Sequence, residues 1–268
     1  MWLNQEKVMN IEFNTEIFGK EFIYFDSLSS TNDYLKNNIE NFQHGTVIFT
    51  ANQTNGHGSK NRSWSAFAEK SISISILIKN ISVKFLRIIP IMLAVSIVQT
   101  LDTVGAENSK IKWFNDIIIG GKKVSGLLCE SVVLNEMCDV ILGVGINVNV
   151  SNDCFAKLNL KNAGSLLSQT GKHFEIKQIV EKLVENVENN FKSFLTNKLD
   201  YVENKFICEY TNRCLNIGNS VKIYKDNEII IAKAVGISND GGLVCEKDNV
   251  KFIVHNQQVS VRGFENYV

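Results

Sequence analysis

The sequence predicts an α+β protein in two parts, a larger sheet-and-helix domain over residues 1–215 and a small β-barrel over residues 216–268. Three observations predict it. The stretch from Lys112 through Gly120-Gly121 to Glu130 reads as strand, tight turn and strand, since a Gly-Gly pair suits a two-residue hairpin turn. Apolar residues at helical spacing then give a long amphipathic helix through Ile176, Ile179, Val180, Leu183, Val184, Val187, Phe191 and Phe194, and a further helix over residues 201–210. From Asn216 the pattern changes to five short strands in about fifty residues: 221–224, 229–236, 242–245, 251–254 and 259–262, broken by polar turns at Lys225-Asp226-Asn227 and Asn239-Asp240-Gly241. So many short strands predict a small closed or nearly closed barrel. No Pro- or Ser-rich linker lies between the parts, so they are expected to pack rigidly.

Taken in order, residues 21–25 read as a short strand, and Ser29-Ser30-Thr31-Asn32-Asp33 leads into Tyr34, Leu35 and Ile39 at helical spacing. A Ser or Thr there caps a helix N-terminus, whose free amides and hydroxyls can also hold a small polar ligand. Residues 46–51 form a second apolar strand that runs into a polar loop, Asn52 to Trp64, containing Gly56, Gly58, Lys60 and Arg62. Such a loop is either a solvated turn or a lid whose amides and cations meet an anion. Ser71-Ile72-Ser73-Ile74-Ser75-Ile76 alternates strictly, with one apolar face and one of small hydroxyls. The hydroxyl face either floors a pocket or accommodates a close-packed helix, and the packing role is the one expected. Residues 83–104 are apolar with few charges and predict a buried helix. Gly143 and Gly145, inside the apolar run 138–150, mark close approach by another group, and Asn147 on that run needs buried partners from protein or ligand. A short helix is expected near residues 164–169.

Lys112, Asn115, Asp116 and Lys123 stand at the ends of otherwise buried elements. A buried charge is costly unless it is paired or serves a ligand, so these residues are either hairpin ends or a site for an anion and its metal.

Twenty-eight basic and 28 acidic residues cancel, leaving no electrostatic footprint for nucleic acid or an anionic membrane. Cysteines at 129, 138, 154, 208, 214 and 245 show no CxxC or metal-ligand spacing and read as reduced thiols of a cytoplasmic protein. The start, Met1 to Glu6, lacks a signal-peptide pattern, and the longest apolar stretch is too short to span a bilayer.

Ser29-Ser30-Thr31-Asn32, the loop from Gln53 to Trp64, Lys112-Trp113-Phe114-Asn115-Asp116 with Lys123 to Glu130, and Gly143-Val144-Gly145-Ile146-Asn147-Val148 occur in an order that resembles biotin protein ligases. The ending, Gly236 through Gly241-Gly242-Leu243 to Gly263, is similar to that family's small SH3-like C-terminal barrel. The resemblance covers nearly the whole chain. It implies a mixed sheet flanked by helices, of the class II synthetase-like kind. It also implies an ATP-dependent biotin–[acetyl-CoA-carboxylase] ligase that makes biotinoyl-5′-AMP and passes biotin to a lysine of a biotin carboxyl carrier domain. ATP, biotin and Mg²⁺ follow as ligands, and homodimerisation is compatible with it.

The resemblance assigns Ser30, Thr31, Asn32 and Gln53 to the biotin head group, with Gly56, His57, Gly58 and Gly126 beside them and Arg62 among the catalytic residues. Lys123 would sit against the biotin carboxylate and the α-phosphate, and Asp116 would serve as orienter or base. Lys112, Asn115, Asp116, Asn147 and Arg262 would meet ATP, with Asp116 a possible Mg²⁺ ligand. Two departures stand out. The family's loop usually reads Gly-Arg-Gly-Arg-Arg-Gly-Arg, but here His57 and Ser59 replace two arginines, which predicts weaker retention of the adenylate. Phe114 stands where proline is usual. Only about twenty residues precede the first catalytic strand, too few for the DNA-binding domain some members carry, so a short form without DNA binding is expected. An exposed strand edge would suit carrier docking or a homodimer, but its position is not readable. The competing readings are a lipoate ligase of the same fold, a thiol-dependent acyltransferase using Cys129, and a non-catalytic biotin or nucleotide binder.

Overall fold

The computed structural model describes residues 11–196, 199–225, 228–255 and 260–263. The chain start, Asp226, Asn227 and Val259 lie outside them. β1 (Phe22–Phe25) leads to α1 (Thr31–Asn37), whose N-cap is Ser30, the side chain accepting from Asp33 N–H. β2 (Val47–Thr50) runs into a small ribbon, β3 (Gly56–His57) and β4 (Ser63–Trp64), joined by a turn in which Lys60 takes φ of 59°. Then come β5 (Ser71–Ser82), α2 (Ile89–Thr103), β6 (Lys110–Lys112), β7 (Asp116–Ile119), β8 (Lys122–Leu134) and β9 (Met137–Asn147). Helices follow: α3 (Asn152–Lys157), which the sequence pattern does not reveal, α4 (Leu166–Thr170), α5 (Ile176–Thr196) and α6 (Leu199–Arg213). β10 (Ser220–Lys225), β11 (Glu228–Ile237), β12 (Leu243–Lys247), β13 (Val250–Val254) and β14 (Ser260–Gly263) end the described chain.

The first sheet has seven strands in the order β1-β2-β5-β9-β8-β7-β6, parallel only between β1 and β2, so it is mixed. The Gly120-Gly121 turn takes φ of 57° and 76°, the left-handed values expected of a two-residue hairpin. The isoleucines of β5 are buried with α2 and α5 in the main core, which is why those helices need an apolar stripe. The opposite face of β5 packs against the much shorter α1, and its Ser71, Ser73, Ser75 and Leu77 are buried.

Register puts one row of residues across six strands: Thr50, Ser73, Gly145, Gly126, Asp116 and Lys112. Cross-strand partners share a face, so small residues at the centre of the row leave a hollow with a charged pair at its end. The second sheet, order β13-β12-β11-β10-β14, is antiparallel throughout, as expected of a small SH3-like barrel. Its Val221, Ile223, Ala234, Leu243 and Cys245 join the same buried cluster as the first sheet. The contact passes through the β6–β7 turn, where Trp113 N–H donates to Asn216 Oδ1 at 2.7 Å and Trp113 Nε1 donates to the Gly241 carbonyl at 3.0 Å. Among the described residues no helix is long and apolar enough to cross a membrane.

Candidate active site

Above the row of small residues lies a cavity of about 660 Å³ counting its open mouth. Ser30, Thr31, Asn32 and Gln53 line one end; His57, Gly58, Arg62 and Trp64 come from the loop; Asn115, Asp116, Lys123 and Gly126 line the rest. Three segments remote in sequence thus meet on one face of the sheet.

The first end is a polar network. Gln53 Oε1 accepts from Thr31 N–H at 2.9 Å and from Thr31 Oγ1 at 3.2 Å. Ser75 Oγ lies 2.7 Å from Thr31 Oγ1 and 2.6 Å from Asn32 Oδ1, and Asn32 Nδ2 donates to Glu130 Oε2 at 2.9 Å. The hydroxyl face of β5 therefore serves the site as well as the packing of α1, which corrects the expectation of packing alone. Neither Ser73 nor Ser75 is singled out by the sequence. The strict Ser-Ile alternation was the available signal, but it does not say what faces the hydroxyls. Ser73 Oγ is buried at the cavity wall without a hydrogen-bond partner in the protein, the condition of a group that a ligand would satisfy.

The glycines make room for these side chains. A Cβ on Gly143 would sit 2.3 Å from Asn32 Oδ1, and one on Gly145 would sit 2.4 Å from the Trp64 ring. The close approach read from these two glycines is thus made by Asn32 and Trp64. A Cβ on Gly126 would lie 3.1 Å from Lys123 Nζ, and one on Gly56 would collide with the Gln53 amide.

At the other end Lys123 Nζ is 2.6 Å from Asp116 Oδ1 and 5.5 Å from the Trp64 ring centroid. Asn115 Nδ2 donates to the Leu127 carbonyl at 3.0 Å and to Ser59 Oγ at 3.3 Å, tying the turn before β7 to the loop. Lys112 is 4% exposed. Its pKa is lowered to about 8, chiefly by burial, which Asp116 opposes and the charges of Lys123, Arg262 and Arg62 reinforce. The charges acting on Lys112 are thus those of Asp116, Lys123, Arg262 and Arg62, brought from β7, β8, β14 and the loop. Arg262 itself lies over the Tyr224 ring at 5.1 Å. Four cations with one carboxylate suit a polyanion better than a single carboxylate.

Asn147, like Gly56, Lys112 and Arg262, stands outside the lining of the cavity. It is buried, its Nδ2 donates to the Gly164 carbonyl at 3.0 Å, and Ser71 Oγ lies 3.3 Å from its Oδ1. Cys129 offers no nucleophile, since burial pushes its thiol well above the ordinary range. His57 Nε2 lies 3.0 Å from Asp33 Oδ1 on α1.

A helix-flanked mixed sheet, a glycine-containing loop over its face and a cationic cleft define a protein that handles a small polar ligand and an anion together. A family model described as "Biotin/lipoate A/B protein ligase family" matches residues 24–147, the span that contributes all of the cavity residues. The bifunctional ligase/repressor BirA of Bacillus spizizenii is 30% identical over 247 residues, covering 90% of this chain and 74% of that protein. A Mycobacterium tuberculosis biotin–[acetyl-CoA-carboxylase] ligase is 31% identical over 109 residues, 39% of this chain and 40% of that one. Among solved structures, the Aquifex aeolicus biotin protein ligase in complex with biotin and ATP superposes with a TM-score of 0.75 at 26% identity, covering 91% of this chain and 99% of that one. The chain belongs to the biotin/lipoate A/B protein ligase family, and its relatives include biotin protein ligases by both sequence and structure.

Proposed function

We propose that this chain is an ATP-dependent biotin protein ligase. It activates biotin to biotinoyl-5′-AMP and transfers the biotinoyl group to a lysine of a biotin carboxyl carrier domain, that of acetyl-CoA carboxylase or another carboxylase. The observation that carries the reading is the position of Lys123. Its amine lies between the Thr31–Gln53–Asn32 network and the cationic end around Lys112.

A carboxylate does not acylate an amine at neutral pH because oxide leaves poorly. In the first step a biotin carboxylate oxygen attacks the α-phosphorus of ATP, the bond to the bridging oxygen breaks, and pyrophosphate leaves. Lys123 lowers the repulsion between the carboxylate and the phosphate as they approach, and Lys112, Arg62 and Arg262 offset the charge of the leaving pyrophosphate. Ser30, Thr31, Asn32 and Gln53 hold the ureido head group, Gly126 leaves Lys123 room to swing, and Asn115 fixes the turn that carries Asp116. The loop bearing Gly56, His57 and Gly58 covers the mixed anhydride and keeps water out. In the second step the carrier lysine, as free amine, attacks the acyl carbon and AMP leaves. Asp116 accepts the proton or orients the amine.

Asp116 is the one carboxylate lining the cavity among the described residues. A Mg²⁺ ion brought with ATP fits there, where it would neutralise phosphate charge. The catalytic part corresponds to residues 1–215 and the barrel, which brings Arg262, to residues 216–268. β7 pairs with β8 only as far as Gly126, so the far half of β8 has one edge free of strand partners among the described residues. Val132, Val133 and Leu134 are exposed there, Leu134 at 75%. That edge, continuous with Leu127 and Leu128 at the cavity, is the place for a carrier strand to dock by β-augmentation, or for a second copy of the chain. Six thiols without disulfides fit a cytoplasmic enzyme.

Incubation with ATP, Mg²⁺ and either biotin or lipoate, with a carrier domain as acceptor, tests the reading. Biotin-dependent pyrophosphate release and carrier labelling are expected. Labelling with lipoate alone would select the lipoate branch of the family, and binding without turnover would reject the enzyme.

A further inference from the structure

We propose that Asp33, His57 and Glu130 form a binding site for a divalent transition-metal ion, with Zn²⁺ as the fitting cation, that ties the loop to the body of the protein. The three residues come from α1, β3 and β8, and their ligand atoms all lie within 4.8 Å of one another. Two donors around a tetrahedral zinc are about 3.4 Å apart. His57 Nε2 and Asp33 Oδ1 are already 3.0 Å apart, so the ion needs only a modest approach of Glu130. One imidazole with two carboxylates is a borderline-to-hard donor set that suits Zn²⁺, Co²⁺ or Mn²⁺ more than soft metals. Three protein donors leave a fourth position for water.

The groups that face this point are Lys36, whose Nζ is 2.9 Å from Glu130 Oε1, and Asn32, whose Nδ2 is 2.9 Å from Glu130 Oε2. Lys36 is a half-exposed surface amine and can swing aside. Metal binding replaces the His57–Asp33 hydrogen bond and the Lys36–Glu130 ion pair with bonds to the ion, the ring proton of a neutral His57 moving to Nδ1. A bound ion then joins β3, at the start of the loop, to α1 and β8 on the cavity wall, holding the loop in its covering position. The site stands on these three residues and does not depend on which ligand fills the cavity.

The test is titration of the untagged chain with Co²⁺ alone, followed by its visible absorption, and with Zn²⁺ in competition. One ion per chain is expected, bound roughly tenfold or more weakly in His57→Asn and in Asp33→Asn. Lys36→Met, which removes the competing amine, is expected to bind more tightly than the unaltered chain. Zn²⁺ is also expected to protect residues 56–62 from proteolysis. Identical titrations for the unaltered chain and His57→Asn, or no tightening in Lys36→Met, would overturn the proposal. Circular dichroism checks that each variant folds; if His57→Asn does not, Lys36→Met and Glu130→Gln decide the matter.

Discussion

Lys123 Nζ and Asp116 Oδ1 lie 2.6 Å apart across the β7–β8 pair, and Asp116 is the register partner of Lys112 on β6. Gly126, the register partner of Asp116, has no side chain to stand between the pair and the cavity. The pair holds Lys123 pointed inward before substrate arrives, so little reorganisation is left for the reaction itself.

Lys112 makes the cationic end sensitive to pH. With its pKa near 8, the ligand-free chain carries this amine about half protonated at pH 8. Polyphosphate nearby favours the charged form, so binding of ATP at pH 8 takes up about half a proton per chain. Calorimetry in buffers of different ionisation enthalpy measures this, and Lys112→Met should abolish it. Proton release on binding would contradict the assignment. The same shift has a stability consequence. Between pH of about 8 and 10.5 the unfolded chain holds a proton that the folded chain has lost, so this group makes the ligand-free fold more stable as pH rises through that window.

Gly143→Ala tests the polar end. The new Cβ would lie 2.3 Å from Asn32 Oδ1, in a network where Asn32 is also held by Ser75 and Glu130. Displacing that amide should raise KM for biotin roughly ten- to a hundredfold, with a smaller effect on KM for ATP. Biotin-dependent pyrophosphate exchange gives both constants. An unchanged KM for biotin would remove Asn32 from the head-group contacts.

Glu188 anchors the start of the described chain. Its carboxylate accepts from Glu16, Ile17 and Phe18 N–H at 2.7, 2.8 and 2.7 Å, and Lys192 Nζ lies 3.3 Å away. Burial alone would raise its pKa, but these partners outweigh it and leave the carboxyl below its ordinary value. A depressed carboxylate contributes stability above its unfolded pKa and loses it as pH falls through the folded one. Glu188→Gln should therefore cost about 2 kcal/mol at pH 7, and the difference should shrink as the medium becomes acid. Urea unfolding at neutral and acid pH measures it; a difference independent of pH would contradict the charge-based account.

Much of this was legible in the residues. Gly120-Gly121 announced a hairpin because such a pair takes positive φ twice without strain, and the alternation of Ser71 to Ile76 gave the strand and its two faces. Short strands after Asn216 announced a second sheet. What the order of residues could not give was the partner of each face. Ser75 meets Thr31 and Asn32 only because α1 returns over β5. Asn147, polar on an apolar strand, read equally as a ligand contact or an internal one, and the structure places it against Ser71 and Gly164. Glu188 reads as one more charge on an amphipathic helix, since its partners lie some 170 residues earlier. The family motifs located the residues of the cavity, while the loop substitutions His57 and Ser59 acquired meaning only from their neighbours, Asp33 and Asn115.

The most direct measurement of the central claim is biotin-dependent ATP–pyrophosphate exchange by Lys123→Ala and Lys123→Met. Both should fold, as judged by thermal unfolding, and both should lose roughly a hundredfold or more in kcat. Exchange within a few-fold of the unaltered chain would show that the amine beside Asp116 does not bring the two anions together.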